Sequence, residues 1–495
     1  MQTSRLIPSL MAAAASAFIA VLPAPTFVPA AALNRLRRLA FTKLGIAALV
    51  LAVSAAPSFA GQETTFEKTL ANGLRVIVKE DRRAPTVVHM VWYRAGAMDE
   101  KDGTSGVAHV LEHMMFKGTK TLKPGEFNKR VAEAGGRDNA FTSLDYTAYF
   151  QIVPKGALPE MMRLEADRMV NLQLQPEEFA AEIQVVMEER RLRTDDNPQA
   201  RVYEALNAAA FTAHPYRRPV IGWMDDLKNM TWQDARAWYR AWYAPNNAYV
   251  VVAGDVDHRE VFRLAEQTYG KHQARSLPNR KPQNEPLQTG QRRVTVKAPA
   301  QLPYILMAWK APRLKDVDQD RDPYALEVLA ALLAGNDAAR FPKRLVRGEK
   351  IAQSASAWYD ATLRGEALFL LAGSAAAGKT VAELEAALKA EIIRIQEEGV
   401  TEEELQRVKT QTIAAQVYKR DSLMAQAMEI GFAEATGIHW SDIDKLLEKI
   451  RSVTAAEVQA VAKQYFSDDT LTVSVLDPQP IDPAAQKKPA FAVRH

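Results

Sequence analysis

The two halves of this 495-residue chain repeat one another in the order of their predicted elements, and that recurrence narrows the fold more than any other feature. LQPEEFAAEIQVVMEERRLR is echoed by VTEEELQRVKTQTIAAQVYK, and the helix, turn and strand of TWQDARAWYRAWYAPNNAYVVVAGDV by TAAEVQAVAKQYFSDDTLTVSVLD. Element order carries the repeat further than residue identity does. A unit of about 200 residues lies inside the usual domain range. The expected fold class is α+β: two homologous domains in tandem, each a mainly antiparallel sheet with helices. Residues 61–271 form the first domain, 294–480 the second and 481–495 a tail. Between the domains, HQARSLPNRKPQNEPLQTGQRR (272–293) is polar, contains proline and lacks periodicity, which reads as a linker.

Within the first domain, FEKTLANGLRVIVKED places two β-like runs around Asn72-Gly73, a hairpin signal, and TVVHMVWYRAG reads as a further strand. TSGVAHVLEHMMFKG reads as a helix with Thr104 or Ser105 as its N-cap and Gly118 as its stop. LKPGEFNKRVAEAGG is a second helix, DNAFTSLDYTAYFQIVP a strand pair, and ALPEMMRLEADRMVNL and PEEFAAEIQVVMEERRLRT two longer helices.

HVLEH, at 109–113, is where chemistry enters. On a helix, His109 and His113 lie one turn apart on one face, so both imidazoles can reach one cation. Glu112 shares that face and is placed to act on the metal's water rather than to bind the metal. The chain has no cysteine, so a third ligand must be His, Asp or Glu. Glu182 and Glu189 stand seven residues apart, two helical turns on nearly the same face. One of them could ligate zinc while the other supports the site. A lone helical histidine is usually a packed or surface residue, and acidic pairs are common on solvated helices. The repeat argues against that reading here. Laying Gly118 on Gly335 puts Leu326, Leu329 and Ala330 where His109, Glu112 and His113 stand, and Val408 and Ala415 match the two acids. The fold does not demand polar residues at these places.

Residues 1–60 carry Arg5, Arg35, Arg37, Arg38, Lys43 and no acid, which more than accounts for the formal charge of +4. The remainder is near −1, so a basic surface for nucleic acid is unsupported. RLRRLAFTK, the apolar LGIAALVLAVSAA, and Ser58 and Ala60 before Gly61 form the pattern of a cleaved secretory signal. A periplasmic location is expected, and membrane contact only through an uncleaved anchor.

HxxEH is the inverted zinc-peptidase motif. Together with HVLEHMMFKGT, AGGRDNAFTSLDYTAYF, EIQVVMEE and HPYRRPVIGW, in that order, it makes residues 62–480 resemble the pitrilysin family, which includes insulin-degrading enzyme and the mitochondrial processing peptidases. The resemblance implies a zinc metalloendopeptidase of unfolded peptides, its two domains facing each other around a chamber. It implies one Zn²⁺ per chain on His109, His113 and Glu189, with Glu112 as general base and Glu182 as the supporting acid. Asn139 and Ala140 match the edge strand on which peptides lie by β-addition. The family's self-sufficient members carry an Arg and a Tyr seven residues apart in the second copy. Here RLVRGEKIAQSAS offers Arg347 but Ser354, or Gln353 on a one-residue shift, and Tyr359 is too far along. The chain therefore resembles the zinc-bearing subunit of a homodimer, or of a heterodimer with a homologous zinc-less subunit. The rivals are a catalytically inactive peptide-holding or assembly subunit and a zinc-storage protein. The scattered eight histidines disfavour the latter.

Overall fold

The computed structural model describes residues 64–481; the expected signal segment and nearly all of the tail lie outside the described residues. The eleven strands are β1 (Thr65–Thr69), β2 (Arg75–Glu80), β3 (Thr86–Tyr93), β4 (Arg137–Thr142), β5 (Thr147–Pro154), β6 (Ala248–Gly254), β7 (Arg292–Pro299), β8 (Tyr304–Ala311), β9 (Ala352–Tyr359), β10 (Ala367–Ala375) and β11 (Leu471–Gln479). The helices of the first half are α1 (Val107–Met114), α2 (Glu126–Glu133), α3 (Leu158–Asn171), α4 (Pro176–Arg190), α5 (Pro198–Ala210), α6 (Met224–Asn229), α7 (Trp232–Trp242) and α8 (His258–Gln267). Those of the second are α9 (Asp322–Ala334), α10 (Val381–Glu398), α11 (Glu402–Lys419), α12 (Leu423–Thr436), α13 (Ile443–Ser452) and α14 (Ala455–Tyr465).

The two sheets repeat one topology. The first runs β1-β2-β6-β3-β5-β4 and the second β7-β11-β8-β10-β9. In each, one pair is parallel, β2 with β6 inside the first sheet and β7 with β11 at the edge of the second, and the remaining pairs are antiparallel. The added strand β1 comes from the expected hairpin. Its turn is closed by Leu70 N–H donating to the Leu74 carbonyl at 2.8 Å, with Gly73 at φ +86°. The expected α+β duplication is what the chain adopts.

Each sheet carries helices of its own half on one face. On the other it takes a helix from the opposite half. Val202 and Leu206 of α5 pack with Leu306, Ala308, Leu370 and Ala372 of the second sheet. In return, α12 lies on the first sheet, where the Tyr249 hydroxyl donates to the Gly431 carbonyl at 2.7 Å. A Cβ on Gly431 would come within 2.1 Å of the Trp92 indole, so only glycine lets the helix approach that closely. Gln426 donates to Asp81 at 2.9 Å near one end of α12, and Glu434 pairs with Arg75 at 3.1 Å near the other.

Residues 273–289 take up no helix or strand, and β7 begins at Arg292. Glu285 nevertheless ties this segment down, its carboxylate accepting from the N–H groups of Thr212, Ala213 and His214 at 2.8–2.9 Å. His214 in turn fills the space beside Gly365 of the second half, where a Cβ would lie 2.3 Å from its ring.

Burial, aided by Lys310 and Arg218 and opposed by Glu285, holds the His214 pKa down at about 4. Between that value and the ordinary 6.5 the unfolded chain binds a proton that the folded chain does not, so stability falls as pH drops through this window. Urea unfolding at pH 7 and pH 5 should differ by about 1–2 kcal/mol more in the wild type than in His214→Gln. An equal pH dependence in the two proteins would show that His214 does not titrate this way.

Among the described residues no helix is long and apolar enough to cross a membrane.

Candidate metal centre

The metal helix is held at its start by the stretch Ile221–Trp223. The expected caps Thr104 and Ser105 are not used: the N-cap is Gly106, in the left-handed region at φ +88°. Ser105 instead donates its hydroxyl to Asp226 at 2.5 Å and accepts from Trp223 N–H at 2.9 Å. A Cβ on Gly106 would strike the Ile221 carbonyl at 2.6 Å, so side-chain capping gives way to close backbone packing. The helix N–H groups are satisfied from a distance, Glu100 accepting from Gly106 and Ala108 at 2.8 and 2.9 Å. That carboxylate also suits the positive end of the helix. The helix ends at Met114, and Gly118, at φ +100°, turns the chain just beyond it.

On the face so positioned, His109, His113 and Glu189 bring one ligand atom each within 4.8 Å of one another. His113 Nε2 and His109 Nε2 lie 3.3 and 3.7 Å from Glu189 Oε2. All three residues are buried. The remaining polar side-chain atoms of His113, Glu182 and Glu189 are committed elsewhere. His113 Nδ1 lies 2.9 Å from Glu182 Oε1, and Glu182 Oε2 is held by Lys117 Nζ at 2.5 Å. Glu189 Oε1 pairs with Arg193 Nη1 at 2.5 Å. A His113 that donates from Nδ1 aims an Nε2 lone pair at a carboxylate oxygen. Two acceptors facing each other in a buried site need a cation between them, either a proton on His113 or a metal ion held by all three residues. The donor set, two imidazoles and a carboxylate, fits zinc with a position left open.

The charges agree. Burial works against a charged His113, but its hydrogen bonds to Glu182 and Glu189 outweigh that and hold its pKa up at about 9. Burial pushes Glu189 up, and His113, His109 and Arg193 together bring it down to about 2. Glu112 behaves differently. Burial pushes its carboxyl up to about 7, with Glu189 adding to the rise while His113, Thr142 and Arg193 pull down. Its Oε2 accepts from Thr142 Oγ1 at 2.5 Å. It stands beside the cluster as an acid whose proton affinity burial raises.

Of the residues expected to meet substrate, Asn139 and Ala140 lie on β4, which pairs with β5 and ends the sheet on its other side. Arg347 lies in the second half, where its guanidinium donates to the Asp337 carbonyl at 2.5 Å. Gln353 and Ser354 are exposed on β9. Tyr359 is buried, with its hydroxyl donating to the Pro312 carbonyl, so it cannot stand in for the missing Tyr. Sequence reading missed Lys117, Thr142 and Arg193. Lys117 follows His113, and Arg193 follows Glu189, by four residues, a helical spacing that could have found both. In the second half the matching Leu326, Leu329, Ala330 and Val408 are buried apolar core.

Replacing Glu182 by Gln should leave His113 less firmly oriented and lower zinc affinity about 10- to 100-fold. Competition with a chromophoric chelator measures this, and an affinity within about twofold of wild type would refute the supporting role.

Fold and site together define a duplicated α+β protein whose first half carries, in His109, His113 and Glu189, a buried cluster that could hold one cation. Residues 75–223 match the family model described as Insulinase (Peptidase family M16), and residues 229–412 the one described as Peptidase M16 inactive domain. The chain is 32% identical over 420 residues to the zinc protease PqqE of Helicobacter pylori, across 83% of this chain and 92% of that protein. It is 27% identical over 416 residues to an uncharacterized zinc protease of Streptomyces coelicolor, across 82% and 88%. The crystal structure of a protease from Helicobacter pylori aligns with a TM-score of 0.80 at 30% identity, over 84% of this chain and all of that one. The periplasmic protease PqqL of Escherichia coli shares the fold, with a TM-score of 0.73 at 21% identity; the match covers 86% of this chain and 49% of that one. This chain belongs to peptidase family M16, as its resemblance to the pitrilysin group led one to expect, and its relatives are named zinc proteases.

Proposed function

We propose that the protein is a zinc metalloendopeptidase acting on unfolded peptides. The observation that carries this reading is the convergence of His109, His113 and Glu189 beside an acid, Glu112, that is not needed as a ligand. Zinc held by those three residues supplies Lewis acidity, lowering the pKa of a water towards neutrality and polarising a carbonyl. Glu112 takes a proton from the attacking water as its oxygen bonds to the scissile carbonyl carbon. The C–N bond then breaks, and Glu112 passes the proton to the leaving amine. Glu182 and Lys117 keep His113 in the tautomer and orientation that present Nε2, and Arg193 does the same for Glu189. The substrate backbone extends the first sheet at β4, along Asn139 and Ala140.

The chain acts in the periplasm after export and works as the zinc-bearing subunit of a pair. The match to about half of PqqL supports pairing with a second chain of this kind, either another copy or a zinc-less homologue. Helices of this chain cover both faces of its sheets, so the chamber expected between the two domains of one chain is placed in this reading between the paired chains instead. Arg347 and the partner complete the substrate site.

The test is hydrolysis of an unstructured fluorogenic peptide library by the purified chain, with and without a zinc chelator. Chelator-sensitive turnover is expected. Silence from a zinc-loaded chain would point to the inactive peptide-holding reading unless a homologous subunit restores cleavage. Absence of bound zinc would sink the metal site.

A further inference from the structure

We propose that Thr142 is a positioning residue for Glu112, its hydroxyl fixing where the carboxylate points. The inference rests on the hydrolytic reading of the site. The contact joins separate elements, Thr142 at the end of β4 and Glu112 on α1, through an Oγ1–Oε2 hydrogen bond of 2.5 Å.

The donor is itself held still. Thr142 pairs with Thr147, whose hydroxyl donates to the Ala95 carbonyl at 3.0 Å, and Ser143 N–H donates to the Tyr146 carbonyl at 2.8 Å. At the tip of this hairpin the buried Asp145 accepts from the Tyr216 hydroxyl at 2.7 Å and from Arg364 N–H at 3.0 Å. The second half thus clamps the hairpin three residues from the grip on Glu112. A β-branched side chain has few rotamers, so a pinned backbone also fixes the direction of the hydroxyl.

The acceptor needs holding. Glu112 lies one turn from His109 and beside His113, within reach of any cation those residues bind. A carboxylate drawn onto that cation would have its lone pairs engaged and could accept no proton. A short hydrogen bond from a rigid donor opposes that swing. The same strand carries Asn139 and Ala140, so one rigid element sets both the peptide register and the direction of the base.

Valine keeps the shape of threonine and removes the donor; serine keeps the donor. In the zinc-loaded protein, Thr142→Val should lower kcat at least about 20-fold with KM nearly unchanged, while Thr142→Ser stays within about threefold of wild type. Adding Thr142→Val to Glu112→Gln should cost less than about twofold more, because the hydroxyl acts only through the carboxylate. Losses that add in the double variant, equal losses in the valine and serine variants, or a valine variant within about threefold of wild type would each overturn the proposal. The companion readout is the visible spectrum of the Co²⁺-substituted protein, which Thr142→Val should shift and Thr142→Ser should not. A wild type without chelator-sensitive turnover, both alone and with a homologous subunit, would refute the peptidase reading instead. The spectrum then decides alone: a shift confined to the valine variant supports the positioning role, and no shift overturns it.

Discussion

Glu112→Gln should leave the protein folded and zinc-loaded and lower kcat about 10²- to 10⁴-fold, the range general acid–base catalysis spans. Glutamine keeps the volume of the side chain and an oxygen that can accept from Thr142, so the local packing survives. What it lacks is basicity. A carboxylate can take a proton and give it up again, whereas an amide does neither. Steady-state kinetics with metal analysis on the same sample separates the two effects. A variant that cleaves at the wild-type rate would falsify the assignment of the base.

Glu189→Ala should do more, because it removes a ligand and a counter-charge together. His109, His113 and Arg193 would be left facing one another with no acid between them, although two of the three are buried. Losing one of the three ligands should lower zinc affinity by more than the roughly 10- to 100-fold that a supporting residue is worth, and turnover should fall with it. Calorimetry with zinc gives the affinity. An unaltered affinity would mean that Glu182 is the true third ligand.

The cluster was readable from sequence because its geometry is local. Four-residue spacing puts His109 over His113, and seven-residue spacing puts Glu182 on the stripe of Glu189, whatever the rest of the chain does. The choice between the two acids was not local: it came from a family resemblance, and the structure brings Glu189 to both imidazoles while Glu182 reaches His113 from behind. Thr142 was illegible for the same reason, since nothing in RDNAFT says that the strand will end beside α1. The N-cap shows a local rule losing. Ser105 has the right chemistry for a cap, but Asp226 and Trp223 claim its hydroxyl and Glu100 takes over the helix N–H groups. Exchange of α5 and α12 was equally hidden. The sequence shows that each helix has an apolar side, and only long-range packing decides which sheet receives it.

That exchange limits how such a gene can be cut. A polypeptide ending before β7 would retain every residue of the metal cluster and yet lose α12, leaving Trp92 and Tyr249 on a bare apolar surface. The remainder would lack α5 and bare its own sheet at Leu306 and Ala308. Cleaving the backbone within 273–289 is a different operation, because each product keeps the helix that it lends to the other. Two pieces split there and co-expressed should still assemble, whereas the first piece alone should not fold stably.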